Sequence, residues 1–134
     1  MHLSELPWLG IAAATVVYFI LGAVWYGAFA KPWMRYIGVT EEQMKEGAGP
    51  GPYLVAAAAS FVGALATGVV LHATNSHHWQ EGLHWGLLLG FGVAASAIAK
   101  HYAFQGHPAG LFAIDAGYDV LGFILMAVVI VLLS

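Results

Sequence analysis

The chain contains no cysteine and very few charged residues. Four Lys or Arg and seven Asp or Glu make up only 8% of its 134 residues. The lack of cysteine excludes disulfide bonds, thiol catalysis and cysteine-bound metals. The scarcity of charge excludes a soluble domain, which carries about 25% charged residues, and the formal net charge of -3 provides no basic patch for nucleic acid. Because 60% of the residues are hydrophobic, more than a water-soluble chain of this length buries, the sequence predicts an integral membrane protein.

Four long apolar runs organise the chain. A membrane helix needs about 20 apolar residues, and the candidates are 8–29, 53–71, 83–102 and 111–133. The runs are continuous rather than alternating, so they predict helices and not the strands of a barrel. The predicted fold is an all-α membrane protein, one domain made of four transmembrane helices. No Lys or Arg precedes the first run, which is too long for a signal peptide, so we expect it to remain as a helix.

All four basic residues fall on one side of the predicted bundle. Lys31, Arg35 and Lys45 lie between the first two runs, and Lys100 lies near the end of the third. By the positive-inside rule this side is expected to be cytoplasmic, with both chain termini outside.

The cytoplasmic loop contains a short amphipathic segment. Thr40 and Gln43 have the spacing of a capping box, which predicts a short helix that ends before the Gly- and Pro-rich run 47–52. Trp33 and Tyr36 would let the segment lie at the lipid headgroups. An ordinary connecting loop with one helical turn fits the same residues.

Small residues form a stripe on the third helix at steps of three or four: Gly86, Gly90, Ala94 and Ala97, followed by His101. Such a stripe allows close approach of another helix, from the same chain or from another subunit. Four helices enclose little interior, so polar groups inside the membrane favour a homo-oligomer.

Carboxyl groups enter the membrane on the fourth helix. Asp115 and Asp119 are one turn apart on one face, and Asp119 falls near the bilayer midplane. The tight turn before this helix brings the end of the third helix to the same depth. We therefore predict a polar cluster in the cytoplasmic half of the membrane, composed of Tyr26, Ser60, Ser96, Lys100, His101, Asp115, Tyr118 and Asp119.

Two functions fit this cluster. Ionisable residues inside a membrane mark ion, proton or solute pathways, which indicates a channel- or transporter-like protein for protons, ions or a small solute. Alternatively Lys100 pairs with Asp115 and Asp119 is neutral, so that the charges serve packing alone. The protein would then be a non-catalytic membrane module that binds lipid or a partner protein.

Histidines gather on the outer side. His72, His77, His78 and His84 are candidate zinc ligands by residue type, but their spacing matches no zinc motif. We expect no bound metal and no cofactor. The sequence also lacks a nucleophile elbow, a phosphate loop and a dinucleotide fingerprint, so we expect no enzymatic activity.

Two segments carry a family resemblance. One is Trp25-Tyr26-Gly27 with Lys31-Pro32-Trp33-Met34, and the other runs from Tyr102-Ala103-Phe104-Gln105-Gly106 to Ile114-Asp115-Ala116-Gly117-Tyr118. Together they resemble the bacterial membrane family catalogued as domain of unknown function 1761. The resemblance covers nearly the whole chain. It implies four helices in a bacterial inner membrane and no established activity, and it supplies no catalytic or binding residues.

Overall fold

The computed structural model describes residues 1–47 and 49–134. These residues form a 3-10 turn, Leu3–Glu5, followed by six helices. The helices are α1 Trp8–Ala28, α2 Ala30–Ile37, α3 Glu41–Gly47, α4 Gly51–Ala73, α5 Trp79–Gln105 and α6 Ala109–Leu132.

Four of these helices, α1, α4, α5 and α6, are long and apolar enough to cross a membrane. The prediction of an all-α protein with four membrane helices is therefore confirmed. α5 begins at Trp79, earlier than predicted, because its N-terminus is capped. The side chain of Glu81 accepts hydrogen bonds from the backbone N–H groups of His77 at 2.7 Å and His78 at 2.8 Å, which satisfies donors that a helix start leaves free.

α6 is the central helix of the bundle. It packs against α1, α4 and α5 and is the most buried of the four membrane helices. α1 runs antiparallel to it: Gly10 at the start of α1 lies against Ile130 near the end of α6. At the other end of α1, Trp25 donates its indole N–H to the backbone carbonyl of Ile114 at 2.9 Å.

Glycines of α5 form the contact with α6. A Cβ atom added at Gly86 would lie 2.5 Å from the Cα atom of Ile124, and one added at Gly90 would lie 2.8 Å from the Cα atom of Val120. The two backbones therefore touch, as small residues permit. Since this part of the stripe packs within one chain, the homo-oligomer stays a prediction that no longer rests on these glycines.

α5 is not a uniform α-helix. Leu88–Ala95 adopts the wider π-helical form, which no pattern in the sequence predicts. A π turn contains more residues than an α turn, so the second half of the small-residue stripe rotates away from α6. Ala97 and His101 are exposed accordingly.

The segment between α1 and α4 folds as two short helices. The capping box that predicts α3 is confirmed: the Gln43 backbone N–H donates to the Thr40 hydroxyl at 3.2 Å, and the Thr40 N–H donates to the Gln43 side chain at 2.9 Å. α3 includes Gly47, and Ala48 of the following run lies outside the described residues. α2, which is not predicted, ends at Gly38 in a left-handed conformation with φ 74°. We call the end of the bundle that carries α2, α3 and the α5–α6 turn the basic end.

Replacing Gly90 by leucine should destabilise the chain itself, because the new side chain must displace the backbone of α6. Overpacking of this kind costs about 1–3 kcal/mol and should lower the thermal unfolding midpoint in detergent. Gly92→Leu is the matched control, since a Cβ there meets only the side chain of Leu88, at 3.4 Å. Equal midpoints for the two variants would contradict the α5–α6 contact.

Candidate functional site

Asp115 of α6 receives hydrogen bonds from two other helices. The hydroxyl of Tyr26 in α1 donates to one carboxyl oxygen at 2.6 Å. The hydroxyl of Tyr102 in α5 donates to the other oxygen at 2.5 Å. Both oxygens of Asp115 are therefore bonded to phenols, and the carboxyl group links α1, α5 and α6.

Asp119, one turn further along α6, is bonded in a similar way. The Tyr18 hydroxyl of α1 donates to its carboxyl group. The hydroxyl of Tyr118 donates to the backbone carbonyl of Tyr18 at 2.8 Å. The rings of Tyr18 and Tyr118 stack with their centroids 4.7 Å apart and their planes inclined by 13°. We call Asp115, Asp119, Tyr18, Tyr26, Tyr102 and Tyr118 the carboxyl–phenol cluster.

Glycines make room for these rings between α1 and α6. The Tyr18 ring lies directly over Gly122, where any side chain would collide with it. A Cβ at Gly22 would come within 2.8 Å of the Tyr118 hydroxyl. Each helix thus presents a glycine to a tyrosine of the other, which allows the hydroxyls to reach acceptors inside the bundle.

The structure brings together four of the eight residues predicted for the polar cluster: Tyr26, Asp115, Tyr118 and Asp119. The other four lie elsewhere. Ser60 is buried, but its hydroxyl donates to the carbonyl of Ala56 in its own helix at 2.7 Å. Ser96 donates to Gly92 of its own helix at 2.8 Å. Lys100 and His101 are exposed.

The expected salt bridge between Lys100 and Asp115 is absent from the described part of the chain. Helix geometry gives the reason. Tyr102 faces α6 and bonds to Asp115. Residues two apart in an α-helix point in nearly opposite directions, so Lys100 faces away from α6.

Two members of the cluster, Tyr18 and Tyr102, are missing from the sequence-based prediction. A signal for Tyr18 exists, because Tyr18, Gly22 and Tyr26 recur every four residues on one face of α1. Tyr102 belongs to a segment that carries the family resemblance.

A large cavity adjoins the cluster at the basic end. It has a volume of about 1070 Å³ and lies between α1 and α4, bounded by α2 and α3. Tyr26 and Tyr118 belong both to its wall and to the carboxyl–phenol cluster. Phe19, Trp33 and Tyr53 add further aromatic rings to the wall.

The cavity is bounded toward the opposite end of the bundle by a packed core. Ile11, Ala14 and Met126 are fully buried there, and Ile130 is nearly so. At the basic end, by contrast, every residue of 51–59 in α4 is exposed. The cavity therefore opens at the basic end and sideways between α1 and α4.

The histidines at the outer end of the bundle contact residues close to them rather than one another. The His72 ring lies 3.8 Å from the carboxyl group of Glu5, and the His77 ring lies 2.9 Å from the side-chain oxygen of Asn75. His78 caps α5, and His84 is exposed. Within residues 1–47 and 49–134 no three metal-binding side chains converge.

Fold and site together define an integral membrane protein of four membrane helices, with two phenol-bonded carboxyl groups beside a cavity that opens at the basic end and between α1 and α4. The chain belongs to the family described as protein of unknown function (DUF1761), whose model matches residues 9–131. No curated protein and no solved structure matches the chain. The two segments that carry the resemblance meet at the site, where Trp25 bonds to Ile114 and both Tyr26 and Tyr102 bond to Asp115.

Water should enter the cavity, and single cysteines in this cysteine-free chain test this. Ala23→Cys and Ala56→Cys place thiols on the cavity wall and should react with a water-soluble maleimide, since the thiolate forms only where water reaches it. Val24→Cys and Val55→Cys are the controls, because these neighbours lie at similar depth, are 64% and 69% exposed, and do not line the cavity. We expect these thiols to face lipid and stay unreacted. Equal reaction of both pairs would contradict a hydrated cavity.

Proposed function

We propose that this protein is transporter-like: it binds a small solute in the cavity and takes up and releases a proton at the carboxyl–phenol cluster. One observation carries the proposal. Tyr26, which is part of the cavity wall, donates its hydroxyl directly to Asp115. Tyr118, also in the wall, stacks on Tyr18 and donates to its backbone carbonyl, and the Tyr18 hydroxyl donates to Asp119. Occupation of the cavity would therefore act on the hydrogen bond to Asp115 directly and on the tyrosine bonded to Asp119 through ring packing.

The shape of the cavity favours a transporter over a channel. A channel needs a continuous hydrated route, whereas the core around Ile11 and Met126 is fully buried. A site that is reached from one side and gated by helix movement is typical of alternating access. α4 is the helix suited to such a movement, because every residue of its segment 51–59 is exposed and Pro52, Tyr53 and Ala56 of this segment line the cavity.

The distribution of charge supports one orientation. Lys31, Arg35, Lys45 and Lys100 belong to the basic end, and basic loops resist translocation. We therefore propose that the basic end lies in the cytoplasm, and, from the family resemblance, that the membrane is a bacterial inner membrane. In this orientation the cavity receives its solute from the cytoplasm or from the inner leaflet.

A second candidate function is a non-catalytic module whose cluster only holds the helices together. The observation in its favour is that every carboxyl oxygen of Asp115 and one of Asp119 accepts a phenol hydrogen bond. In the described residues no buried side-chain polar atom lacks a partner. Such a cluster would stabilise the bundle without moving a proton.

Proton flux separates the two candidates. Purified protein in liposomes with a pH-sensitive dye inside should dissipate an imposed pH gradient faster than protein-free liposomes. Asp119→Asn keeps an acceptor for Tyr18 but removes the titrating group, so flux should fall to the protein-free rate while the protein stays folded.

The control is Glu42→Gln, which removes a carboxyl group from an exposed position outside the cavity wall and should keep wild-type flux. If wild-type protein gives no flux above empty liposomes, or if Asp119→Asn leaves the flux unchanged, the cluster does not transfer protons. The second candidate, a non-catalytic membrane module, is then favoured.

A further inference from the structure

The wall of the cavity has the chemistry of a site for one class of solute. Its aromatic members include Tyr26, Trp33 and Tyr118. Tyr26 contacts the other two edge to face, with its ring centroid 5.9 Å from that of Trp33 and 5.5 Å from that of Tyr118. The faces of aromatic rings attract cations, most strongly where water is excluded. An array of rings at the membrane interface is therefore suited to an apolar molecule that carries positive charge.

The polar atoms at the inner end of the cavity favour a ligand group that donates hydrogen bonds over one that accepts them. The Tyr26 hydroxyl donates its hydrogen bond to Asp115, and the Tyr118 hydroxyl donates its hydrogen bond to the backbone carbonyl of Tyr18. Each phenol oxygen can still accept a hydrogen bond but has no proton left to donate. An anionic group would find no donor from these two tyrosines.

The electrostatic field points to the same class. Asp115 lies directly behind the Tyr26 phenol, and Asp119 lies one turn further along α6, bonded to Tyr18. In the described residues no Lys or Arg forms an ion pair with either carboxyl group. At the mouth, Glu41 and Lys45 both line the cavity. They are four residues apart on α3, so they lie on one face and their charges offset each other.

From these contacts we infer that the cavity binds a lipophilic organic cation, such as a hydrophobic amine or a quaternary ammonium compound. The inference rests on the proposed function, since it names the solute of the same cavity. The apolar body would lie between α1 and α4, where the cavity is open to lipid. The charged group would lie among the rings at the inner end, next to the carboxyl groups.

Two probes of nearly equal shape and opposite charge test the inference. Tetraphenylphosphonium is a cation and tetraphenylborate is an anion. Equilibrium dialysis against the full chain in detergent, with protein-free micelles subtracted, should show saturable binding of the phosphonium and only unsaturable partition of the borate. Saturable borate binding of equal or greater affinity would overturn the inference.

Two variants and their controls locate the site. Trp33→Leu and Asp115→Asn should each weaken phosphonium binding by about 3–30-fold, the factor that one ring or one charge contributes. Trp79→Leu, at the opposite end of the bundle, and Glu42→Gln, outside the cavity wall, should leave binding unchanged. If neither Trp33→Leu nor Asp115→Asn weakens binding although both unfold at the wild-type temperature, the cation site is not in this cavity.

The inference and the proposed function can fail separately. Proton flux that requires Asp119, without saturable phosphonium binding, would contradict the inferred cation site but not the proton uptake and release proposed for the cluster. Saturable phosphonium binding that depends on Trp33, without proton flux, would contradict the proposed transport function but not the inferred cation site.

Discussion

The structure depends on the need to satisfy two carboxyl groups inside a membrane. An unpaired carboxylate at the centre of a membrane helix costs at least about 2.5–3.5 kcal/mol. Tyr26 and Tyr102 satisfy Asp115, and Tyr18 satisfies Asp119. Because these phenols come from α1 and α5, the hydrogen bonds fix the register of both helices against α6.

The same contacts explain where the cavity forms. α1 is held to α6 along its length, from Gly10 at one end to Trp25 at the other. The buried residues of α4 begin at Ser60, whereas every residue of its segment 51–59 is exposed. The space between α1 and α4 therefore opens beside the carboxyl–phenol cluster, which is why the proposed solute site and proton site are adjacent.

The sequence predicts the four membrane helices and the α3 cap because apolar run length and capping-box spacing are local signals. It also predicts that Asp115 and Asp119 share a face. It does not predict their partners, since the choice between Lys100 and Tyr102 depends on how α5 is rotated after its π-helical segment. No local pattern marks that segment. Tyr18 is missed because its recurrence with Gly22 and Tyr26 on one face of α1 also fits ordinary helix packing, and its acceptor, Asp119, lies on another helix.

A double-mutant cycle measures the central contact most directly. Thermal or denaturant unfolding in detergent would compare wild type, Tyr26→Phe, Asp115→Ala and the double variant. Hydrogen bonds between membrane helices average about 0.6 kcal/mol and reach about 1.7 kcal/mol, so we expect a coupling free energy in this range. The same cycle with Tyr36→Phe, whose ring packs on Gly110 at the start of α6, should give none. Additive effects of Tyr26→Phe and Asp115→Ala would contradict the carboxyl–phenol contact on which the account rests.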